Sequence, residues 1–314
     1  MKATAADSLK NAPAPTAGTR RFRQNIPLLL MFAPVVVYFV IIKYAPMAGL
    51  LIAFKDYSLR EGIWGSEWVG LANFRLLFDN PQLLNILRNT LLLSLLNIVA
   101  GFPVPIILAI LLNEVRQMQF RKAVQTLVYL PHFFSWIIVG GFVVTMFSME
   151  NGIVNRIALA LFGETKAFLY EPQSWIAIFV GSAIWKEAGF GAIVYLAALS
   201  SIDPSLYEAA SIDGAGKARK IWHVTLPGIR PTIILMLILS MGRVMEVGFD
   251  HIYVLQNQVV TSISEVISTY IYKVGLGQGM YSITTALGLF ESVIGLILVW
   301  TSNQVARRFD QSLW

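Results

Sequence analysis

The sequence predicts an all-α, polytopic membrane protein with six spanning helices and both termini on the cytoplasmic side. Three observations predict it. The chain is 56% hydrophobic and only 13% charged, whereas a soluble domain is typically about a quarter charged. Six apolar runs approach or exceed the roughly 20 residues that a helix needs to cross about 30 Å of hydrocarbon. Lys and Arg then concentrate in alternate connections between those runs.

Taken in order, the first run extends from about Ile26 to Phe54, with a tilt or break expected near Pro46. Before it, the Ala-, Pro- and Thr-rich residues 1–24 read as a disordered cytoplasmic tail. A cleavable signal peptide is not expected, because the apolar run starts late, is long, and is followed by no small-residue cleavage site. The second span covers about Thr90 to Leu112, the third Ala123 to Phe147 and the fourth Trp175 to Leu199. The fifth covers Ile229 to Gly248 and the sixth Thr284 to Val305, so the spanning region is 25–306, followed by a cytoplasmic tail, 307–314. Pro34, Pro103, Pro105 and Pro131 lie inside these runs. Such prolines kink helices and are tolerated where neighbours re-satisfy the freed carbonyls.

Charge sets the orientation. Lys2, Lys10, Arg20, Arg21 and Arg23 precede the first span, and Arg116, Arg121 and Lys122 lie between the second and third. Lys217, Arg219, Lys220 and Arg230 lie between the fourth and fifth, and Arg307 and Arg308 follow the sixth. The opposite loops carry Asp56, Glu61, Glu67, Asp79, Glu150, Glu164 and Glu171. The positive-inside rule therefore accounts for the net charge of +6 without a nucleic-acid partner. The outer loops, Asp56 to Arg88 and Asn151 to Pro172, read as interfacial helices rich in aromatic or apolar residues, or as a docking surface for an external partner.

Several kinds of chemistry are excluded. With no cysteine there are no disulfides, thiolate metal sites or Cys nucleophiles. His132, His223 and His251 stand far apart and in no metal-ligand spacing, so each reads as structural. No Ser-His-acid or paired-carboxylate pattern stands out. Gly214-Ala-Gly-Lys217-Ala218 resembles a phosphate loop only briefly: G-x4-G-K-[ST] needs Gly where Ser211 stands and a hydroxyl where Ala218 stands.

The segment 203–228 is the polar exception among apolar runs. Asp203-Pro204 makes a good helix start, and Gly214 and Gly216 break that helix. A second short basic helix through Lys217 to Val224 is expected to end before Leu226-Pro227. On physics alone this is either a knob that enters a groove on another protein or an interfacial loop holding two spans in register.

The spacing Glu208-Ala209-Ala210, three residues, Gly214, nine residues, Val224-Thr-Leu226-Pro227 closely resembles the EAA loop of permease subunits of ATP-binding-cassette (ABC) importers, with Val224 in place of Ile. Further stretches resemble the carbohydrate branch, which includes maltose-type permeases: Pro46 to Tyr57, Asn89-Thr90, Tyr129-Leu-Pro131 and Ala197 to Tyr207. The overall pattern is most similar to polysaccharide importers, those for alginate in particular. The resemblance implies a type I ABC importer permease fold that forms half of a transmembrane pore. It implies a second homologous permease, two cytoplasmic ATP-binding subunits and an extracytoplasmic solute-binding protein as partners. It also implies a saccharide substrate and that ATP and Mg are bound by the ATPases, with no cofactor in this chain. Glu208, Ala209, Ala210, Gly214, Leu226 and Pro227 would then couple ATPase closure to the spans. The implied setting is the bacterial cytoplasmic (inner) membrane.

Charges within or beside spans mark candidates for the substrate path, because burying them in lipid is costly. Trp185, Lys186 and Glu187 interrupt the fourth span, where Gly189 and Gly191 permit unwinding or close helix approach. Arg243 and Glu246 read as an i,i+3 pair on the fifth span that either neutralises itself or faces substrate, followed by Asp250. Arg243 suits a sugar carboxylate because its planar fork binds bidentately. Glu291 is a weaker candidate, and Phe133, Phe134, Trp136 and Phe190 either stack on sugar rings or simply pack. The alternative to an ABC permease is a secondary transporter driven by an ion gradient. Those commonly show inverted repeats and more spans, and no convincing repeat is visible. A membrane enzyme is the third reading, disfavoured by the missing catalytic pattern.

Overall fold

The computed structural model describes residues 17–307, so the parts of the two expected tails at 1–16 and 308–314 lie outside the described residues. The chain divides into two compact units, one ending at Leu51 and one beginning at Ile52. The first unit is dominated by helix α1 (Ala17–Phe39), which passes through a π turn at Val40–Tyr44. A 3-10 helix, Ala45–Phe54, follows and runs on into the second unit. Pro46 offers no N–H to an α pattern, and the break expected there takes the form of this change in helix type. Within Asn25–Phe54 an 18-residue window reaches a mean hydropathy of 2.4.

The second unit holds the remaining spans. Helix α2 (Pro81–Gly101) starts at Asn80, whose side chain accepts the Gln82 N–H at 2.9 Å. It continues into α3 (Pro103–Glu114), and together they make a 34-residue rod that begins well before the expected Thr90. Helices α4 (Met118–Tyr129) and α5 (Trp136–Phe147) correspond to the expected third span. They are not one helix: a 3-10 turn at Leu130–Phe133 and an extended Phe134 separate them, and their axes bend by 102°. Pro131 removes a helical N–H there, and Ser135 restarts the helix by accepting the Ile138 N–H at 3.4 Å. Helix α6 (Ile153–Phe162) lies in the outer loop where a short apolar helix was expected, and Gly163 closes it at φ 77°.

Helix α7 (Pro172–Ser200) runs uninterrupted for 29 residues, so Gly189 and Gly191 do not unwind it. They permit close approach instead. At Gly189 the main chain lies against the Val128 carbonyl of α4, and at Gly191 a Cβ would sit 3.2 Å from Pro105. After α8 (Pro204–Ile212), α9 (Lys217–Lys220) continues through a π turn, Ile221–Thr225, into α10 (Leu226–Gly242). The basic helix therefore does not stop before Pro227. The shifted π hydrogen bonds accommodate the proline's missing N–H, leaving one 26-residue rod, Lys217–Gly242. That rod ends at Gly242 rather than at Gly248. Arg243 and Val244 donate to Ser240 and Met241 in i→i−3 bonds of 3.1 and 3.3 Å, which tighten and finish the helix. Helix α11 (Phe249–Leu255) is followed by the short helical turns Thr261–Ser264 and Ile267–Tyr270, a π turn Ile271–Leu276, and α12 (Tyr281–Arg307).

Among the described residues five helices are long and apolar enough to cross a membrane, and the bent α4–α5 pair makes six when counted as one span. The all-α expectation holds apart from one small antiparallel ribbon, Lys55–Asp56 with Glu67–Trp68. Asn73 supports that outer loop by donating to the Ala53 and Lys55 carbonyls at 2.9 and 3.0 Å. One core joins α5, α7 and α11 around Trp175, Phe179 and Ile252. Another joins α2 and α12 around Leu83, Ile86 and Leu287, and a third joins α3, α7 and α10 around Ile110, Tyr195 and Ile229.

Candidate functional site

The segment 203–228 is built as a capped helix folded back on the start of α10. Asp203 Oδ1 accepts the Ser205 N–H at 2.9 Å, which together with the Ser205 hydroxyl holds the Asp203 carboxyl below the usual carboxylate range. Pro204 occupies the first helical position. At the other end Gly214 adopts φ +74°, and the Ala215 N–H reaches the Ala210 carbonyl at 2.9 Å, a left-handed cap that a residue with a Cβ enters only with strain. Tyr207 Oη and Thr225 Oγ1 meet at 3.1 Å, and Lys220 Nζ donates to Ser211 Oγ at 2.7 Å, tying α8 to the following rod.

Glu208 and Ala209 are exposed, Ala210 is half-buried, and Gly214 and Pro227 are exposed. Ile212, Trp222 and Leu206 leave 87%, 69% and 53% of their surfaces open. Apolar side chains standing out of a polar, basic segment mark a surface suited to contact with another protein or with the membrane. Leu226, in contrast, packs inward against the core of Tyr195, Leu199 and Ile229, together with Ile202 and Ile221.

The charges on α7 are brought together. Lys186 is 6% exposed, and its Nζ donates to Glu187 Oε1 at 2.8 Å and to the His132 carbonyl at 3.1 Å. It also lies 5.1 Å from the Trp136 ring centroid. Glu187 Oε2 meets His132 Nδ1 at 2.7 Å, and His132 stacks on Phe190 at 3.9 Å. Adjacent Lys186 and Glu187 thus form an internal pair at the α4–α5 bend, with Glu187 still partly open. Trp185 points elsewhere, stacking on Phe142 and lining an apolar groove of about 670 Å³ between α5 and α7.

Arg243 and Glu246 are not paired. They lie in the turn after α10, both exposed, as is Asp250, and among the described residues no ion pair joins Arg243 to Glu246. The helical i,i+3 geometry fails because α10 has already ended. The other histidines have local partners: His251 is sandwiched between Trp136 and Phe179 at 3.7 and 4.1 Å and bonds Ser182 at 2.9 Å, while His223 bonds the Arg219 carbonyl at 2.9 Å.

Comparison with known proteins adds the decisive observation. The family described as the binding-protein-dependent transport system inner membrane component matches residues 84–311, including the whole of segment 203–228. The chain belongs to this family. This permease is 44% identical over 307 residues to protein LplB of Bacillus subtilis (strain 168), covering 96% of each chain. It is 46% identical to the polygalacturonan/rhamnogalacturonan transport system permease protein YteP of the same organism, over 90% of this chain and 88% of that one. Among solved structures it is similar, at 42% identity and a TM-score of 0.86, to a chain of a bacterial ABC transporter involved in the import of the acidic polysaccharide alginate. That match covers 92% of this chain and 98% of the other. A second structure of the bacterial alginate ABC transporter, in complex with alginate pentasaccharide-bound periplasmic protein, matches at 42% identity and a TM-score of 0.87 over 93% and 98%. The fold of the permease is therefore that of an ABC importer permease, as expected.

Sequence reasoning missed one polar cluster of the permease. Glu265, Lys273 and Gln256 interlock in the segment between α11 and α12, with Lys273 Nζ 2.8 Å from Glu265 Oε2 and 2.9 Å from Gln256 Oε1. Asn89 of α2 donates to the Ser262 and Glu265 carbonyls at 3.0 and 3.1 Å, and Thr90 Oγ1 accepts the Ile267 N–H at 3.1 Å. The signal available was the pair Asn89-Thr90, polar residues early in an apolar run; their partners lie more than 170 residues away in the chain.

Proposed function

We propose that this chain is one half of the transmembrane pathway of an ATP-driven importer of poly- or oligosaccharides, acidic alginate-like polymers included, in the bacterial cytoplasmic membrane. A second homologous permease completes the pore. Two cytoplasmic ATPases, which bind ATP and Mg, supply the energy, and an extracytoplasmic solute-binding protein delivers the saccharide. The observation that carries this reading is the likeness, along nearly the whole chain, to the permease chain of an alginate importer.

In this mechanism the open face of α8 with Glu208, Ala209 and Ala210 seats in an ATPase cleft, and Gly214 sets the angle at which the chain leaves it. Closure of the ATPases pushes segment 203–228, and Leu226-Pro227 passes the displacement to α10 through the packed core beneath. The spans then alternate between outward- and inward-facing arrangements. Arg243, Glu246 and Asp250, exposed beside the end of α10, supply polar contacts to the saccharide, Arg243 through a bidentate grip on carboxylates. Glu187 supplies a carboxylate on α7, held in place by Lys186, while Trp185 faces the apolar groove between α5 and α7 instead.

The test is uptake in the reconstituted assembly with ATPase subunits whose nucleotide sites are dead. Uptake should vanish; persistence would favour the ion-gradient alternative and sink this reading. Replacing Glu208 with Ala should leave insertion and assembly intact while reducing uptake and substrate-stimulated ATP hydrolysis together, at least tenfold.

A further inference from the structure

We propose that the extracytoplasmic pocket between the first turns of α2 and the largely helical segment 261–278 is a saccharide subsite that holds one or two sugar units of the incoming chain. The proposal rests on the importer reading above and goes beyond it, since none of the residues that line this pocket belongs to the path candidates on α7 and after α10. The pocket is about 310 Å³. That is the lower end of the roughly 300–1,000 Å³ typical of small-ligand sites, suited to a small part of a polymer. Both walls belong to the side of the membrane that charge assigns to the exterior, where substrate arrives.

Gln82, Asn85 and Asn89 stand at i, i+3 and i+7 on one face of α2. Their roles divide. Asn89, with Thr90, straps that segment to α2 through three hydrogen bonds. Gln82 and Asn85 contribute nothing to the strap: both side chains are exposed, and among the described residues neither side-chain amide makes a hydrogen bond. Opposite them, Thr269 Oγ1 and Gln256 Nε2 hold Glu265 at 3.1 and 3.3 Å, and Lys273 spends two of its three donors on Glu265 and Gln256. One ammonium donor and two planar amides therefore line one cavity, whose Glu265–Lys273–Gln256 wall is held in place by hydrogen bonds. Ile86 and Val274 provide apolar lining.

This is the chemistry that vicinal hydroxyls and the apolar face of a pyranose require. A lone anion would meet a lysine already neutralised at 2.8 Å by Glu265. A docking protein needs on the order of 800 Å² of surface per partner, which a concave site of this size does not offer.

The complex with its partner permease and ATPases, in lipid nanodiscs and without the binding protein, is titrated with an alginate pentasaccharide and with tetragalacturonate. The wild type should bind at least one probe. The double variant Gln82→Ala/Asn85→Ala should weaken that binding at least fivefold while melting temperature and basal ATP hydrolysis stay unchanged. Lys273→Gln provides a second variant should the first fail to assemble, with the same expected loss. Unchanged affinity in an assembled variant overturns the proposal, as does a wild type that binds neither probe. It is equally overturned when a variant keeps its saccharide affinity and, in a parallel assay with the binding protein added, loses only the stimulation of ATP hydrolysis, which would mark a protein-docking surface. Nucleotide-dependent uptake separates the two readings. Pocket-dependent binding without ATP-driven uptake sinks the importer and supports the pocket. Uptake with binding indifferent to the pocket sinks the pocket and leaves the importer.

Discussion

At Gly189 the main chain of α7 lies so close to the Val128 carbonyl of α4 that no Cβ fits between them. The obstructing atom is backbone, so relief requires moving a helix rather than rotating a side chain. Gly189→Ala should therefore cost about 1–3 kcal/mol, the usual range for overpacking, and lower the melting temperature of the purified complex. Gly181→Ala, on the same helix with open space around its Cβ position, is the control and should be near neutral. The same neighbourhood shows what single residues disclose in sequence. Lys186 and Glu187 were legible as charges too costly to leave in lipid. His132 as their third member was not, because it lies 55 residues away and reaches them only through the α4–α5 bend. Arg243 and Glu246 went the other way: an i,i+3 spacing implies proximity only while the helix lasts, and α10 stops at Gly242.

Elements were legible where one physical requirement dominates. About 20 apolar residues announce a span whatever its neighbours do, so five of the six expected spans coincide with long apolar helices among the described residues, and Asp203-Pro204 and Gly214 announced both ends of α8 through cap chemistry. The bend between α4 and α5 escaped because hydropathy is blind to helix direction: Pro131 reads the same in a kinked span as in a broken one. The missing cue was Ser135, four residues on, whose side chain starts α5. Its weight can be measured. Ser135→Ala removes the cap on the Ile138 N–H and should destabilise the complex by roughly 1 kcal/mol, while Ser135→Asn, another good N-cap, should restore most of it. Equal losses in both variants would show that the bend rests on Pro131 and packing alone.

On the scale of the whole molecule, the coupling proposed above requires that a push on the exposed helix α8 reach helices long and apolar enough to cross a membrane. The core around Ile110, Tyr195, Leu199 and Ile229 offers a route, because Ile221 and Leu226 from segment 203–228, and Ile202 just before it, pack on the same cluster as α3, α7 and α10. Gly228 lets Ile202 approach within 2.7 Å of where a Cβ would stand, so the start of α10 and the end of α7 interlock there. Close-packed side chains transmit displacement because they have little room to yield. Ile229, fully buried at the centre of this cluster, is the residue to weaken. Ile229→Ala should cost about 2–5 kcal/mol, from lost burial plus a cavity. In complexes that still assemble, it should lower the saccharide imported per ATP hydrolysed by more than it lowers hydrolysis itself. Leu93→Ala, equally buried but in the core around Trp175 and Phe179, should lower stability without that change in stoichiometry. Should both variants alter the stoichiometry alike, transmission would be a property of overall rigidity rather than of this cluster.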